Sequence, residues 1–243
     1  MRPLFAAASL SVLLLAACGQ NPAPSTSDPD ITPSDGVTPS TQPAPIQDQP
    51  TAPTTPPAPG EQGGTDSWRQ VVSTEDAANL GRLDQAWRLG RAEAEDKGFA
   101  PQVEALGNLV DPNAGLTGRL QPTPGTYRCR TLKLGSQDNT GLGYVAYPWF
   151  RCTVDLTPGG DLILTKTTGS QRTRGLLYPD TDNRLVFVGA QAWGMDETGF
   201  PAYGQTRIRD QVGVFERIGT DRYRVVIPWP RVESKLEILE LAK

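Results

Sequence analysis

The sequence predicts an α+β domain: a short helical region followed by a mainly antiparallel β-meander of about eight strands, closed as a barrel or strongly curved sheet. Three observations lead there. Apolar residues recur at three- and four-residue spacing only between about residues 73 and 110. From about residue 121, short segments rich in Val, Ile, Leu, Thr, Tyr and Trp alternate with turn signals. There is no βαβ alternation and no internal repeat, and a meander hides its edges best by closing on itself.

The helical part begins at Ser73, which with Asp76 resembles a capping box. Ala77, Leu80, Leu83 and Trp87 then share a face, and apolar character continues through Ala86, Leu89, Ala92 and Ala94 to a stop at Gly98. A second helix is expected from Pro101 through Val103, Leu106 and Val110. Glu93, Glu95, Asp96 and Glu104 read as a solvated helix face rather than a carboxylate site. The predicted strands lie near 126–134, 144–155, 161–168, 171–178, 184–192, 212–218, 222–229 and 235–241. Turns such as Pro158-Gly159-Gly160-Asp161 and Gly219-Thr220-Asp221 separate them.

Ahead of this domain the chain has a different character. Arg2 precedes an apolar run, 4–17, that suits a signal-peptide core and is too short for a bilayer of ~30 Å. The run ends in Leu15-Ala16-Ala17-Cys18, the pattern of a bacterial lipobox. Residues 1–17 therefore read as a lipoprotein signal peptide, with Cys18 carrying the lipid (diacylglycerol and an acyl chain such as palmitate) that partners the bilayer. The competing reading is an ordinary secretory leader with an incidental cysteine. Gly19, where Asp would signal inner-membrane retention, points to the outer membrane facing the periplasm. From Cys18 to Asp66, Pro, Ser and Thr dominate and aromatics are absent, so this stretch reads as a disordered tether. The folded domain follows, with a helical segment 67–120 and a β-rich part 121–243.

Charge and composition exclude several functions. Of the 23 Lys+Arg only Arg2 lies outside the domain, and six of the 27 Asp+Glu lie in the tether, so the domain is near neutral. Nucleic-acid binding normally needs a basic excess. The chain has no His, which removes Ser-His-Asp and Cys-His catalysis and His-ligated zinc. No cofactor motif and no metal-ligand spacing occurs. Cys129 and Cys152 read as a disulfide, since an even pair in an oxidising compartment usually pairs and each alternates with bulky residues, Tyr127 and Phe150 with Val154. A reactive or metal-binding pair is the alternative.

Three features are candidate binding elements. The long connection from Gln191 to Gln211 holds Trp193, Asp196, Glu197, Phe200 and Tyr203, which would suit a sugar or a cationic group. The turn from Lys166 to Arg172, with Ser170 and Arg172, would suit an anion. Arg128 and Arg130, with Arg172 and Arg174, would form a basic patch if brought together. The bland readings are a covering loop, a hairpin turn and ordinary outward charge. Tyr147-Pro148-Trp149-Phe150 and Trp229 read as packing groups.

Several segments resemble domain-of-unknown-function family 4893 of bacterial envelope proteins: Gly125-Thr126-Tyr127-Arg128-Cys129-Arg130-Thr131, Phe150-Arg151-Cys152, Thr168-Gly169-Ser170-Gln171-Arg172, Gly213-Val214-Phe215-Glu216-Arg217 and Glu233-Ser234-Lys235-Leu236. The resemblance runs from about Trp68 onward and implies no activity, catalytic residue or cofactor. A looser likeness, by strand count, is to calycin-type barrels, which bind hydrophobic ligands or inhibit proteases; fold alone does not give function.

The leading expectation is a non-enzymatic, membrane-anchored binding or accessory domain in the periplasm. Its partner would be a periplasmic protein or a small hydrophobic or sugar ligand. An interior cavity of ~300 Å³ or more would favour the small ligand. A carboxylate-dependent enzyme on envelope glycans is the first alternative, needing two carboxyl groups ~5–9.5 Å apart. Asp196 or Glu197 with Asp138, Asp210 or Glu216 are the pairs to inspect. A structural or assembly partner in an envelope complex is the second alternative.

Overall fold

The computed structural model describes residues 67–243. The signal peptide, Cys18 and the tether lie outside the described residues.

Among the described residues nine strands form one antiparallel sheet: β1 (Gly125–Ser136), β2 (Tyr144–Ala146), β3 (Phe150–Leu156), β4 (Leu162–Lys166), β5 (Gln171–Thr181), β6 (Arg184–Trp193), β7 (Asp210–Gly219), β8 (Arg222–Pro228) and β9 (Ser234–Ala242). From β3 onward each strand pairs with the next. The sheet closes because β9 pairs with β1, from Arg128↔Ala242 to Ser136↔Ser234. The result is an eight-stranded barrel, in which β1 pairs on its other edge with β3 along its first half and with the short β2 along its second. The expected strand over 144–155 is thus two, broken at Tyr147-Pro148-Trp149, where proline cannot donate to a ladder.

Alternation sorts the side chains. Tyr127, Cys129, Cys152, Val154, Leu164, Leu177, Phe187, Phe215, Tyr223, Val225, Leu239 and Leu241 pack inside. The Cys129–Cys152 disulfide lies within this core, linking β1 to β3. The opposite residues of β1 and β7–β9, including Leu132, Leu134, Val214, Val226, Leu236 and Ile238, are apolar too. These strands are buried on both faces, so the outer one needs a cover.

The helical segment supplies that cover. Helix α1 (Thr74–Gly81) starts as expected, with the Ser73 side chain accepting from the Asp76 backbone N–H. A break at Arg82 leads to α2 (Leu83–Ala94), which presses Trp87, Ala86 and Ala94 onto the outer barrel wall. Gly98, at φ 88°, turns the chain as anticipated, but α3 (Ala100–Glu104) is only one turn and ends in the 3-10 turn Gly107–Leu109. The segment packs against the sheet and does not plug a barrel end. Contact is close because Gly90 of α2 faces β1: a Cβ there would lie 3.0 Å from the Leu134 carbonyl. The barrel wall tightens similarly where Gly175 and Gly189 oppose each other; a Cβ on Gly189 would come within 2.1 Å of the Arg174 carbonyl.

Two buried charged side chains, Arg224 and Glu93, tie the helical segment to the barrel. Arg224, fully buried, donates from Nε to Glu216 at 2.7 Å. Its Nη1 faces the carbonyls of Asn108, Leu109 and Asp111, and its guanidinium lies 5.1 Å from the Trp87 ring. One side chain therefore satisfies the carbonyls left open where the helical segment ends. Glu93, read from the sequence as part of a solvated face, is instead buried. It accepts from the Ser136 backbone N–H at 3.0 Å, Ser136 Oγ at 2.6 Å, Lys97 Nζ at 2.7 Å and Lys235 Nζ. Burial would raise its pKa, but Lys235, Lys97 and Ser136 outweigh that and hold it at about 2.

Arg224→Met leaves the Glu216 carboxylate buried and unpaired, and urea unfolding should show a loss of about 3 kcal/mol. The low Glu93 pKa means that its stabilising contribution is present above the ordinary carboxylate range and is lost as pH falls toward 2. Glu93→Gln should therefore cost about 3 kcal/mol at pH 7 and flatten the acid limb of the stability profile.

Candidate functional site

The barrel interior changes character halfway along. The inward positions that carry Tyr127 and Cys129 on β1 continue as Thr131 and Lys133. Leu241 and Leu239 on β9 lead to Glu237; Leu164 on β4 leads to Lys166; Leu177 on β5 leads through Gly175 to Thr173 and Gln171. Phe187 on β6 leads through Gly189 to Gln191, and Phe215 on β7 leads through Gly213 to Gln211. Thr131, Lys166, Gln171, Thr173, Gln191 and Glu237 line one internal cavity of about 10 Å³ with Phe187, Val225, Ile227 and Leu239. One half of the lumen is a hydrocarbon core, and the other is a polar chamber with ionisable walls.

The chamber is knit together at its rim. Lys133, 4 % exposed, pairs with Glu233, donates to Gln171 Oε1 at 3.0 Å and lies 3.7 Å from Glu237. Gln171 Nε2 donates to Glu233 at 3.1 Å, and Gln211 Nε2 to Glu237 at 3.4 Å. Lys166, also buried, donates to the Gln171 backbone carbonyl at 2.7 Å and sits 4.2 Å over the Phe150 ring, with no carboxylate in ion-pair contact among the described residues. Burial lowers its pKa to about 8, with Glu237 opposing and Lys133 and Arg172 adding to the drop. For Lys133, burial is outweighed by Glu237 and Glu233, and its pKa is raised. Burial pushes the Glu237 carboxyl up, against the attraction of Lys133. Of the seven buried side-chain atoms without a partner among the described residues, two, Thr173 Oγ1 and Gln211 Oε1, belong to these inward-facing side chains. A water fits a cavity of this size, and a buried polar group without a partner costs ~1–3 kcal/mol. These residues went unnoticed in the sequence, although extending the inward phase of Cys129 by two and four residues reaches Thr131 and Lys133.

The residues singled out from the sequence fall in three places. Trp193 stands at the chamber rim, its Nε1 donating to Gln191 Oε1 at 2.9 Å. Glu197 accepts from the Trp193 backbone N–H at 2.5 Å and pairs with Arg209 at 2.5 Å, two contacts that lower its pKa. Arg172 donates to the carbonyls of Gly194 and Glu197 and lies 5.5 Å from the Phe200 ring. Trp193, Glu197, Phe200 and Arg172 thus fasten the loop to the barrel, and Arg209 covers the Trp193 ring at 4.9 Å. Asp196 and Ser170 are exposed. Tyr203 is buried with Trp68 against the outer face of β4–β7.

The four arginines divide between two aromatic rings, as ordinary outward charge would, and the carboxylates are engaged one by one. Arg128 and Arg130 flank the Trp149 ring at 4.6 and 4.8 Å, whereas Arg172 and Arg174 flank Phe200. Asp138 is held by Thr140, Glu216 by Arg224 and Asp210 by the Gly204 N–H. Each of these carboxylates has its own partner, although Asp210 and Glu216 share strand β7. Among the described residues no group of His, Cys, Asp and Glu could hold a metal ion, and no helix is long and apolar enough to cross a membrane.

Acid–base chemistry does meet at the foot of the long loop. Asp76 accepts from the Tyr203 hydroxyl at 2.6 Å, from Ser73 Oγ at 2.8 Å and from Arg231 Nη2 at 2.6 Å. Burial raises the nearby Asp210 to about 6, with the Asp76 charge adding and the Gly204 N–H opposing. A raised folded pKa favours the folded state while the group is protonated, and that advantage is lost as pH rises through about 6. Asp210→Asn keeps the acceptor for Gly204 and removes the charge. It should add about 2 kcal/mol at pH 7.5 and much less at pH 4.5, measured by urea unfolding at both values.

No curated protein and no solved structure matches this chain. A family model described as a domain of unknown function, DUF4893, matches residues 68–241, which is the whole barrel with its helical cover. The chain belongs to the DUF4893 family.

Proposed function

We propose that this protein is a lipid-anchored component of the bacterial envelope, held through Cys18 at the outer membrane, whose barrel is a non-catalytic binding module in the periplasm. The polar chamber is its site. The lipobox-like Leu15-Ala16-Ala17-Cys18 supports the anchor, and the Pro-rich stretch to Asp66 supports a tether. One observation carries the binding reading: two unpartnered polar atoms, Thr173 Oγ1 and Gln211 Oε1, belong to inward-facing side chains in the same half of the closed lumen as the buried cations Lys133 and Lys166.

Such groups work against the fold, which is the expected signature of a site maintained for binding. The apolar half of the lumen is occupied by one cluster of packed side chains, and the cavity of about 10 Å³ holds about one water. The packed apolar cluster disfavours a hydrophobic guest of the kind calycin-type barrels take, and a small polar ligand at the chamber mouth fits better. A carboxylate enzyme is disfavoured by the separate engagement of Asp138, Glu197, Asp210 and Glu216.

Lys166→Met separates binding from structure. The low pKa of Lys166 means that its charge opposes folding at neutral pH, an effect relieved as pH rises through about 8. The variant should gain about 2 kcal/mol at pH 7 by urea unfolding. Native mass spectrometry of the full chain, purified gently in detergent, should show a small retained mass that the variant lacks. A variant less stable than wild type, with an unchanged mass spectrum, would make Lys166 a structural residue and remove the chamber as a ligand site.

A further inference from the structure

We infer that the carboxylate of Glu233 stands in for a ligand's carboxylate, and that the chamber takes a small carboxylic acid bearing a hydrogen-bond donor such as a hydroxyl. This rests on the reading of the chamber mouth as a ligand site.

Glu233 comes from the tight β8–β9 connection and not from a barrel stave. Its side chain is 46 % exposed, yet its two oxygens reach inward to Lys133 Nζ and Gln171 Nε2. Its φ of 72° is an uncommon conformation for a residue with a side chain. Removing it changes the charge of the chamber. With Glu233 in place, Lys133 and Lys166 face Glu233 and Glu237. Without it, two cations face one carboxyl whose pKa burial already raises. The vacancy would be anionic in preference and fork-shaped, bounded by Lys133 Nζ on one side and the Gln171 amide on the other.

Depth then selects the rest of the ligand. Gln211 Oε1 can only accept, and it has no donor. Thr173 Oγ1 is equally unpartnered, and both residues are 5 % exposed. A molecule whose carboxylate replaces Glu233 and whose hydroxyl points into the chamber would satisfy both demands. A plain hydrocarbon acid would satisfy only the first.

The test titrates lactate and propionate, which differ by one hydroxyl, into the full chain in detergent micelles, followed by amide chemical shifts. Glu233→Ala should bind lactate roughly tenfold tighter than wild type, with the Thr173 and Gln211 amides moving. Glu233→Gln, which keeps the side chain's shape and removes its charge, should fall between. Propionate should bind Glu233→Ala several-fold more weakly than lactate, and adding Lys133→Met should abolish both. Equal affinities of wild type and Glu233→Ala, or equal affinities for the two acids with shifts confined to the β8–β9 connection, would reduce the rim to an ordinary surface ion pair. A retained native ligand without a carboxylate would overturn this inference and leave the binding-module reading standing. An empty native spectrum together with no response to either acid would overturn both.

Discussion

Pairing of β9 with β1 is the constraint from which the rest of this structure follows. Once these strands join along Arg128↔Ala242 to Ser136↔Ser234, no stave keeps an open edge, and every side chain is committed to the lumen or the outer wall. Closure also decides what must cover the outside. The first and last strands, with β7 and β8, carry apolar residues on both faces, and the wall they form would stand bare without the helical segment. Arg224 shows how tightly cover and barrel depend on each other. It gives up solvent completely, which only the Glu216 carboxylate and the carbonyls at the end of the helical segment make tolerable.

The same closure creates the chamber. In an open sheet, Lys133, Lys166 and Glu237 would keep their hydration. In a closed barrel they are stripped of it, and one another, Glu233, the Gln171 side chain and carbonyl and the Phe150 ring replace it in part. The opposing pKa displacements of Lys166 and Glu237 share one origin, desolvation of the charged form, and only the cation–carboxylate contacts around Lys133 reverse it. Glycines at 175, 189 and 213 sit between the apolar and polar halves, where a Cβ would run into the backbone of the neighbouring strand. The lumen is therefore divided by close backbone approach as well as by residue type.

Much of this architecture was readable in one dimension. The Ser73 cap, the stop at Gly98, the division near residue 120 and the meander are local properties, dictated by hydrogen-bonding side chains, glycine conformations and two-residue alternation. The pairing of Cys129 with Cys152 was legible because both fall on the bulky face of neighbouring strands. The break at Tyr147-Pro148-Trp149 was available in the proline and was passed over because the flanking residues all favour strand. Glu93 could not be placed from its helix: a glutamate beside Glu95 and Asp96 reads as solvated, and only the approach of Gly135, Ser136 and Lys235 buries it.

The sequence by itself determined the order and type of elements, the disulfide, the absence of histidine chemistry and the near-neutral charge of the domain, because each depends on residues close together or on composition alone. Tertiary structure alone decided that the long aromatic loop is fastened down, that the arginines of β1 and β5 stand on separate walls, and that lysines and a glutamate scattered over more than a hundred residues meet in one chamber. The physical reason is that alternation tells which strand positions share a face, but only the register and the closing pair tell which faces meet, and desolvation acts on the meeting.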